Sequence, residues 1–212
     1  MSTIHRLEQR TPEWFALRCG RLTASDAKDM LATIKTGEAA ARRDLRMRLV
    51  CERLTGQPQT DDYSNSDMQR GVRLEDVARA RYEAHAGVLV DTSVGFIAHD
   101  TLAAGCSPDG VAEDGAVLEV KAPRAARHVG YLKAGVVPAE HRAQLLHQLW
   151  VSGAPAVTFV SFNDDLPEHL QLFVVRLERD DDELAAYEQK ARAFLTEVDS
   201  EVEALTRLKE TR

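Results

Sequence analysis

The acids Asp109 and Glu119 and the lysine Lys121 lie within one short segment of the sequence, which begins at Ser107. Asp109 sits in a Ser-Pro-Asp-Gly turn at the end of one apolar run, and Glu119 and Lys121 lie within the next run. Residues two apart on a strand leave the same face, so Glu119 and Lys121 would project together while Val120 points into the core. A hairpin between the runs would bring Asp109 beside them and leave the Val120 carbonyl free as a further oxygen ligand.

This set of residues fits the hydrolysis of a phosphodiester. Magnesium prefers oxygen ligands, commonly takes one or two carboxylates, and offsets the negative charge that repels a nucleophile. A neighbouring lysine can position or deprotonate the attacking water, or stabilise the developing charge. The alternative is a surface hairpin on which Glu119 and Lys121 pair with their neighbours. Their position inside an apolar strand favours the metal-dependent interpretation, because unpaired buried charge is costly.

Two further polar residues on predicted helices could complete such a site. Glu75 borders the apolar stripe of its helix and could reach in as a third carboxylate. Gln144 lies near the apolar residues of a later helix, where its amide could hold water or phosphate, and Gln148 follows four residues on. For both Glu75 and Gln144 the alternative is an ordinary position on the flank of a helix.

Arg18 and Ser25 flank the start of a predicted helix, and together they indicate a pocket for a terminal phosphate. A helix N-terminus offers free N–H groups and a positive dipole, and an arginine adds a bidentate fork. The alternative is a capped helix with one surface arginine. Trp14 and Trp150 are interpreted as core residues rather than as platforms on which bases stack.

An alternation of helices and strands would carry these residues. The segment 10–33 is predicted to be an extended stretch followed by a helix, which Thr23 and Asp26 would cap. Apolar periodicity and turn residues predict further helices over 38–54, 71–86, 138–151 and 181–209. They predict strands over 88–90, 94–98, 103–106, 116–121, 156–162 and 170–177. This order predicts an α/β or α+β fold with a mixed central sheet flanked by helices.

The chain fits a single domain over residues 1–212, with a core at about 10–178 and a C-terminal helix at 181–209. Its apolar runs are too short to span a membrane, and its first ten residues lack an apolar signal core. Three scattered cysteines argue against disulfides and a zinc site, so a reducing cytoplasm is expected. A net charge of −7 argues weakly against nucleic acid, but thirteen arginines fall within residues 1–81.

Four ordered blocks of sequence resemble the lambda-type alkaline exonucleases, also called the YqaJ-like viral recombinase family. The first is Trp14-x-x-Leu-Arg-x-Gly-x-x-Thr-Ala-Ser25, and the second is Arg70-Gly-x-x-x-Glu75. The third joins Cys106-Ser-Pro-Asp-Gly110 to Leu118-Glu-Val-Lys121, and the fourth is Ala143-Gln144 followed by Trp150. Because four blocks in this order are far more specific than one E-x-K triplet, the sequence is identified as a member of this family.

The resemblance implies the restriction-endonuclease-like PD-(D/E)xK fold and a Mg²⁺-dependent exonuclease in which Mn²⁺ can substitute. It implies processive 5′-to-3′ digestion of one strand of linear double-stranded DNA into 5′-phosphomononucleotides, which leaves 3′ overhangs for single-strand-annealing recombination. The implied metal ligands are Asp109, Glu119 and the Val120 carbonyl. The implied catalytic residues are these two acids with Lys121, Glu75 and Gln144. The implied 5′-phosphate ligands are Arg18, Ser25 and Ser107, and the implied apolar wedge that parts the strands is Met68.

The resemblance also implies a ring-shaped homotrimer around DNA and a single-strand annealing protein as partner. It further implies a phage or prophage protein in the cytoplasm of a bacterial host. In such a ring the acids could face outward while the arginine-rich half lines the channel. Two rivals stay open, namely an endonuclease on the same fold and a non-catalytic DNA-binding or assembly protein. The presence of all three acids and the lysine favours catalysis.

Overall fold

The computed structural model describes residues 2–59 and 66–208, apart from the side chains of residues 66–68. Its helices are α1 (Pro12–Arg18), α2 (Ala27–Met30), α3 (Ala40–Thr55), α4 (Ser66–Ala86), α5 (Ala125–Ala134), α6 (Ala139–Ser152) and α7 (Asp181–Arg207). Its strands are β1 (Ser2–Arg6), β2 (Leu22–Thr23), β3 (Val90–Asp91), β4 (Val94–His99), β5 (Ala104–Cys106), β6 (Gly110–Ala112), β7 (Val117–Lys121), β8 (Ala156–Phe162) and β9 (Leu172–Glu178). None of the described helices has the length and apolar character needed to cross a membrane.

The strands form two mixed sheets. The first has the order β1-β4-β5-β2, in which β2 and β5 run parallel. The second has the order β3-β6-β7-β8-β9, in which β7 and β8 run parallel. Helix α6 packs against β4 and β5 of the first sheet and against β7 and β8 of the second, so its side chains reach both. The mixed sheets and flanking helices confirm the predicted fold class.

Helix α7 contributes buried side chains at helical spacing, which include Tyr187, Phe194 and Val198. These residues share one apolar cluster with Leu49 of α3 and with the apolar face of α6. Ion pairs join α3 to α7, and their members are Arg42 with Glu197, Arg46 with Glu201 and Arg53 with Asp199. Because a surface ion pair contributes at most about 1 kcal/mol, burial of the apolar stripe supplies most of the attachment of α7.

Several predicted helix boundaries are confirmed. Pro138 precedes α6, and Gly153 ends it with a backbone φ of 70°. Gly87 follows α4 with a φ of 67°, a left-handed conformation that glycine adopts without steric cost. Helix α4 begins before the predicted residue 71, and the side chain of Met68 lies outside the described residues.

The prediction for segment 10–33 is wrong in part, because a helix forms earlier than expected. Pro12–Arg18 is already helical, and the Thr11 hydroxyl caps this helix by accepting from the Trp14 N–H at 3.3 Å. The predicted capping box is present, with the Thr23 N–H donating to the Asp26 carboxylate at 3.0 Å. It introduces a 3₁₀ turn and the short helix α2 rather than one longer helix.

The run 103–106 is not one arm of the predicted hairpin. It forms β5, which pairs with β4 and β2 in the first sheet. The arm that pairs with β7 is β6, a three-residue strand that directly follows the Ser-Pro-Asp turn. Helix α5 was not predicted, and the predicted strand 88–90 is shortened and shifted to Val90–Asp91.

Candidate active site

The hairpin of β6 and β7 carries the first of two charged regions. Asp109 precedes β6, where its N–H donates to the Leu118 carbonyl at 2.9 Å and its Oδ2 accepts from the Val120 N–H at 2.6 Å. The next residue is glycine, and a Cβ on Gly110 would lie 2.2 Å from Cγ1 of Val90, so a larger residue would force Val90 of the neighbouring strand to shift. Backbone contacts therefore fix the Asp109 carboxylate against β7.

Glu119 and Lys121 leave the same face of β7, as the period of a strand requires. Glu119 is buried, and the Lys121 ammonium contacts Glu119 Oε1. Val120 packs in a separate apolar cluster with Leu74 of α4. Asp109, Glu119 and Lys121 are called the acid site below.

Burial and like charge act on the ionisation of the acid site. The pKa of Asp109 is well above its ordinary value, first because burial disfavours the charged form and then because the Glu119 carboxylate lies nearby. Burial lowers the pKa of Lys121, but the charges of Glu119 and Asp109 outweigh burial and raise it overall. Two carboxylates therefore share one ammonium, and the site has an excess of negative charge.

Two glutamines from successive turns of α6 hold the Glu119 carboxylate. Gln144 Nε2 donates to Glu119 Oε1 at 2.6 Å, and Gln148 Nε2 donates to Glu119 Oε2 at 2.5 Å. The sequence predicted a role in the site for Gln144 and left the role of Gln148 open. Both amides contact the same acid in the folded chain.

Glu75 of α4 lines a cleft together with Lys121, but each of its two carboxylate oxygens is paired with an arginine. Its Oε1 accepts from Arg79 at 3.1 Å, and its Oε2 accepts from Arg10 at 3.2 Å. Arg79 also donates through Nε to the Asp109 carbonyl at 3.1 Å, so it ties α4 to the turn of the acid site. Glu75 and Lys121 both line a cleft of about 670 Å³. The contact between Arg79 and Asp109 was not predicted, because it depends on how α4 packs.

The donors of the acid site fit a hard divalent cation. In the parts of the chain that the structure describes, no three His, Cys, Asp or Glu side chains form a metal-binding group by themselves. The candidate ligands are two carboxylates, of Asp109 and Glu119, and the Val120 carbonyl. A small all-oxygen set suits Mg²⁺, which keeps several waters and takes other ligands from substrate phosphate. A cation at this position would also neutralise the excess negative charge of the two acids.

Arg18, Ser25 and Ser107 lie together and form the second charged region. The Arg18 guanidinium donates to Ser107 Oγ at 3.2 Å and to the hydroxyls of Thr23 and Ser25 at 3.4 Å each. It lies over the Trp14 ring, with Cζ 4.2 Å from the ring centroid, and the indole N–H donates to Ser107 Oγ at 2.9 Å. These five residues are called the arginine pocket below.

Trp14 is therefore not the core residue that was predicted, because it is half-buried and supports Arg18. Trp150 is buried, as expected. Two signals could have indicated the contact, namely the Thr-Pro start of α1 and the spacing of four residues that puts Trp14 and Arg18 on one helix face. Burial lowers the pKa of Arg18, although the charge of Asp26 acts in the opposite direction.

Arg18 differs from almost all the other arginines of residues 1–81. Eleven of these thirteen pair with an acid, namely Arg6, Arg10, Arg42, Arg43, Arg46, Arg48, Arg53, Arg70, Arg73, Arg79 and Arg81. Among the described residues, Arg18 and Arg21 have no carboxylate at ion-pair distance. Most positive charge of the arginine-rich half is thus neutralised within the chain.

The acid site and the arginine pocket are neighbours. Ser107 of the pocket lies two residues before Asp109 in the sequence. Gln144, which contacts Glu119, and Ser25, which contacts Arg18, line a common cavity of about 550 Å³. A ligand in this cavity would therefore meet one side chain that contacts Glu119 and one that contacts Arg18.

Comparisons with known proteins agree with this arrangement. The chain is 39% identical to LHK-Exo, an alkaline exonuclease from Laribacter hongkongensis, over 95% of this chain and 99% of that one, with a TM-score of 0.85. A structure of LHK-Exo in complex with dAMP gives a TM-score of 0.86 at the same identity and coverage. A phage-related exonuclease from Haemophilus somnus 129PT shares the fold, with a TM-score of 0.66 at 11% identity over 87% of this chain and 96% of that one. Among curated proteins, no significant match was found.

The sheets, the flanking helices and the likeness to LHK-Exo define a protein of the restriction-endonuclease-like fold. Residues 13–155 match the YqaJ-like viral recombinase domain. The chain therefore belongs to the YqaJ-like viral recombinase family, which supports a nuclease role in recombination.

Proposed function

We propose that this protein is a Mg²⁺-dependent exonuclease that digests one strand of linear double-stranded DNA processively from the 5′ end. It would release 5′-phosphomononucleotides and leave 3′ single-stranded overhangs. One observation carries the proposal: a half-buried arginine held by neutral groups lies near the buried Glu119, which pairs with Lys121, and the half-buried Asp109. The first region is complementary to a phosphate, and the second is complementary to a divalent cation.

In the acid site, Asp109 and Glu119 with the Val120 carbonyl would hold Mg²⁺, for which Mn²⁺ can substitute. When bound, the ion supplies charge neutralisation and polarises the phosphorus–oxygen bond. Lys121 holds an ammonium at this position and can orient the attacking water or donate to the developing charge. Gln144 orients Glu119 from the cavity side. Glu75 would act as the accessory acid after it gives up its contact with Arg10 and turns towards the substrate.

In the arginine pocket, the Arg18 fork with the hydroxyls of Ser25 and Ser107 would bind the 5′-terminal phosphate. Because this pocket neighbours the acid site, a docked 5′ end would present the adjacent phosphodiester for cleavage. That order of binding explains 5′-to-3′ polarity without any reading of base sequence. Met68 is proposed as the apolar wedge that parts the strands.

The proposed setting rests on the resemblance to the family. A homotrimeric ring around duplex DNA would keep the enzyme on its substrate, and a single-strand annealing protein would take up the 3′ overhang. The cytoplasm of a bacterial host and a phage or prophage origin fit that role. LHK-Exo is described in complex with dAMP, which is the class of product proposed here.

The decisive experiment uses linear duplex DNA with a 5′-phosphate and a distinct label at each of the four strand ends. We expect shortening from the 5′ ends in Mg²⁺, none in EDTA, and mononucleotide products by chromatography. Covalently closed circular DNA serves as the control and should stay intact. Cleavage of the circle would favour the endonuclease alternative, and shortening from the 3′ ends would overturn the proposed polarity.

A further inference from the structure

Gln148 is a fully buried amide on α6 with an incomplete set of hydrogen bonds. Its Nε2 donates to Glu119 Oε2 at 2.5 Å, whereas its Oε1 has no hydrogen-bond partner among the described residues. A buried polar atom without a partner costs free energy, and an apolar side chain of similar volume would avoid that cost. A glutamine at this position therefore needs a reason beyond packing.

The contacts of Glu119 supply that reason. Gln144 and Lys121 meet Oε1, and Gln148 meets Oε2. Gln144 is half-buried and lines the open cavity, whereas Gln148 is sealed in the interior. Because both oxygens are held from successive turns of one helix, these hydrogen bonds restrict rotation of the carboxylate about its terminal bond.

We propose that Gln148 is a positioning residue that holds Glu119 in the orientation in which it binds the divalent cation. The inference rests on the proposed function, since it concerns the metal ligand of that same site. Polar groups that hold a ligating carboxylate typically change metal affinity by about 10–100-fold when they are removed. Gln148 is fully buried and its side-chain hydrogen bond goes to Glu119, so its effect would pass through Glu119.

Thr158 of β8 provides a matched control. It is buried like Gln148, its Oγ1 also has no hydrogen-bond partner among the described residues, and it contacts no acid in the hydrogen bonds described for this region. Thr158→Val therefore removes a buried polar atom from the same sheet without touching the acid site. If the loss of any buried polar atom were enough, both the Gln148 variant and Thr158→Val would show the effect. An effect that passes through Glu119 would appear in the Gln148 variant alone.

The experiment measures Mn²⁺ binding to the metal-free protein by isothermal titration calorimetry, with thermal unfolding and cleavage of linear duplex in parallel. We expect Gln148→Met to weaken Mn²⁺ binding by about 10–100-fold and to raise the Mg²⁺ concentration needed for half-maximal cleavage. We expect Thr158→Val to stay within about twofold of wild type, since it leaves the ligands in place. Gln148→Leu replaces the methionine variant if that variant does not fold.

The outcomes separate this inference from the proposed function. Wild-type cleavage with unchanged Mn²⁺ affinity in the Gln148 variant would overturn the positioning role and leave the nuclease intact. A lower melting temperature without a change in Mn²⁺ affinity would assign Gln148 to packing, which also overturns it. A wild-type protein that neither binds Mn²⁺ nor cleaves DNA would remove the proposed function itself.

Discussion

The acid site and the arginine pocket are neighbours that carry opposite unbalanced charge. In the first, two carboxylates share one ammonium, and burial and mutual repulsion raise the pKa of Asp109. In the second, the Arg18 guanidinium meets three hydroxyls and an indole ring, and burial lowers its pKa. Each region is arranged for a ligand of the other sign.

The two regions differ in how they hold their charge. Regular structure holds the acid site, since the carboxylates lie on the β6–β7 hairpin and two amides from α6 fix one of them. The end of a helix, a turn and a loop hold the arginine pocket, which joins the last residue of α1, a 3₁₀ turn and the loop after β5. Metal ligation needs exact distances, whereas a phosphate accepts hydrogen bonds over a wider range of geometry.

The largest expected effect concerns the acid site. Asp109→Asn and Lys121→Met should each lower the rate of duplex cleavage by at least about a thousandfold, or about 4 kcal/mol of barrier. Metal-free Asp109→Asn should nevertheless gain about 1 kcal/mol in free energy of unfolding. The reason is that the folded-state pKa of Asp109 is raised, so its charge opposes folding at neutral pH. Urea denaturation in EDTA measures this, and a less stable Asp109→Asn would contradict the assigned charge imbalance.

A smaller effect tests whether the two regions bind separate ligands. At a ligand concentration of 100 times Kd, binding stabilises the fold by about 2.7 kcal/mol. Mn²⁺ and inorganic phosphate should therefore each raise the melting temperature of the wild type. Asp109→Asn should lose the response to Mn²⁺ and keep the response to phosphate, and Arg18→Met should show the reverse.

The same arginine variant has a functional consequence. Arg18→Met should cleave 5′-phosphorylated and 5′-hydroxyl ends at nearly equal rates, because the pocket no longer favours the phosphate. Arg43→Gln is the control, since Arg43 is exposed and pairs with the adjacent Asp44. If Arg18→Met still prefers phosphorylated ends as the wild type does, the pocket binds something else.

The smallest effect concerns α6, which connects the two regions. Burial lowers the pKa of His147 to about 4 from 6.5, with the ring held between the Tyr187 hydroxyl and the Gly105 carbonyl. Because the pKa of His147 is lower in the folded state than in the unfolded state, the free energy of unfolding decreases as pH falls from about 6.5 towards 4. The expected loss is about 2 kcal/mol by pH 5, measured by urea denaturation. His147→Gln should flatten this dependence, and an equally steep curve would assign the acid sensitivity to other groups.

The sequence predicts those parts of the acid site that depend on residues close together in the chain. The turn at Asp109, the strand period at Glu119 and Lys121, and the Pro138 and Gly153 boundaries of α6 are local features, and all were predicted. The contact of Gln148 with Glu119 was not, because residues 144 and 148 share a helix face and only packing decides what each meets.

Long-range pairing limits prediction most in the arginine-rich half. Its thirteen arginines were expected to line a channel, but most of the eleven that pair have an acid in a distant element, as in the pairs of Arg70 with Asp164 and of Arg42 with Glu197. No local pattern shows which arginine lacks such a partner. Arg18 stands out only when the fold puts Trp14 and three hydroxyls around it.

The ion pairs that join the arginines of α3 to the acids of α7 have a consequence for the thermodynamics of DNA association. Each phosphate neutralised by a free cation releases counterions, and the affinity falls with salt by a logarithmic slope of about −0.9 per contact. Arg42, Arg46 and Arg53 already have acids as internal counterions, so they release little when a polyanion arrives. The ionic-strength dependence of binding should therefore report the few uncompensated cations near the cleft rather than the arginine content of the chain.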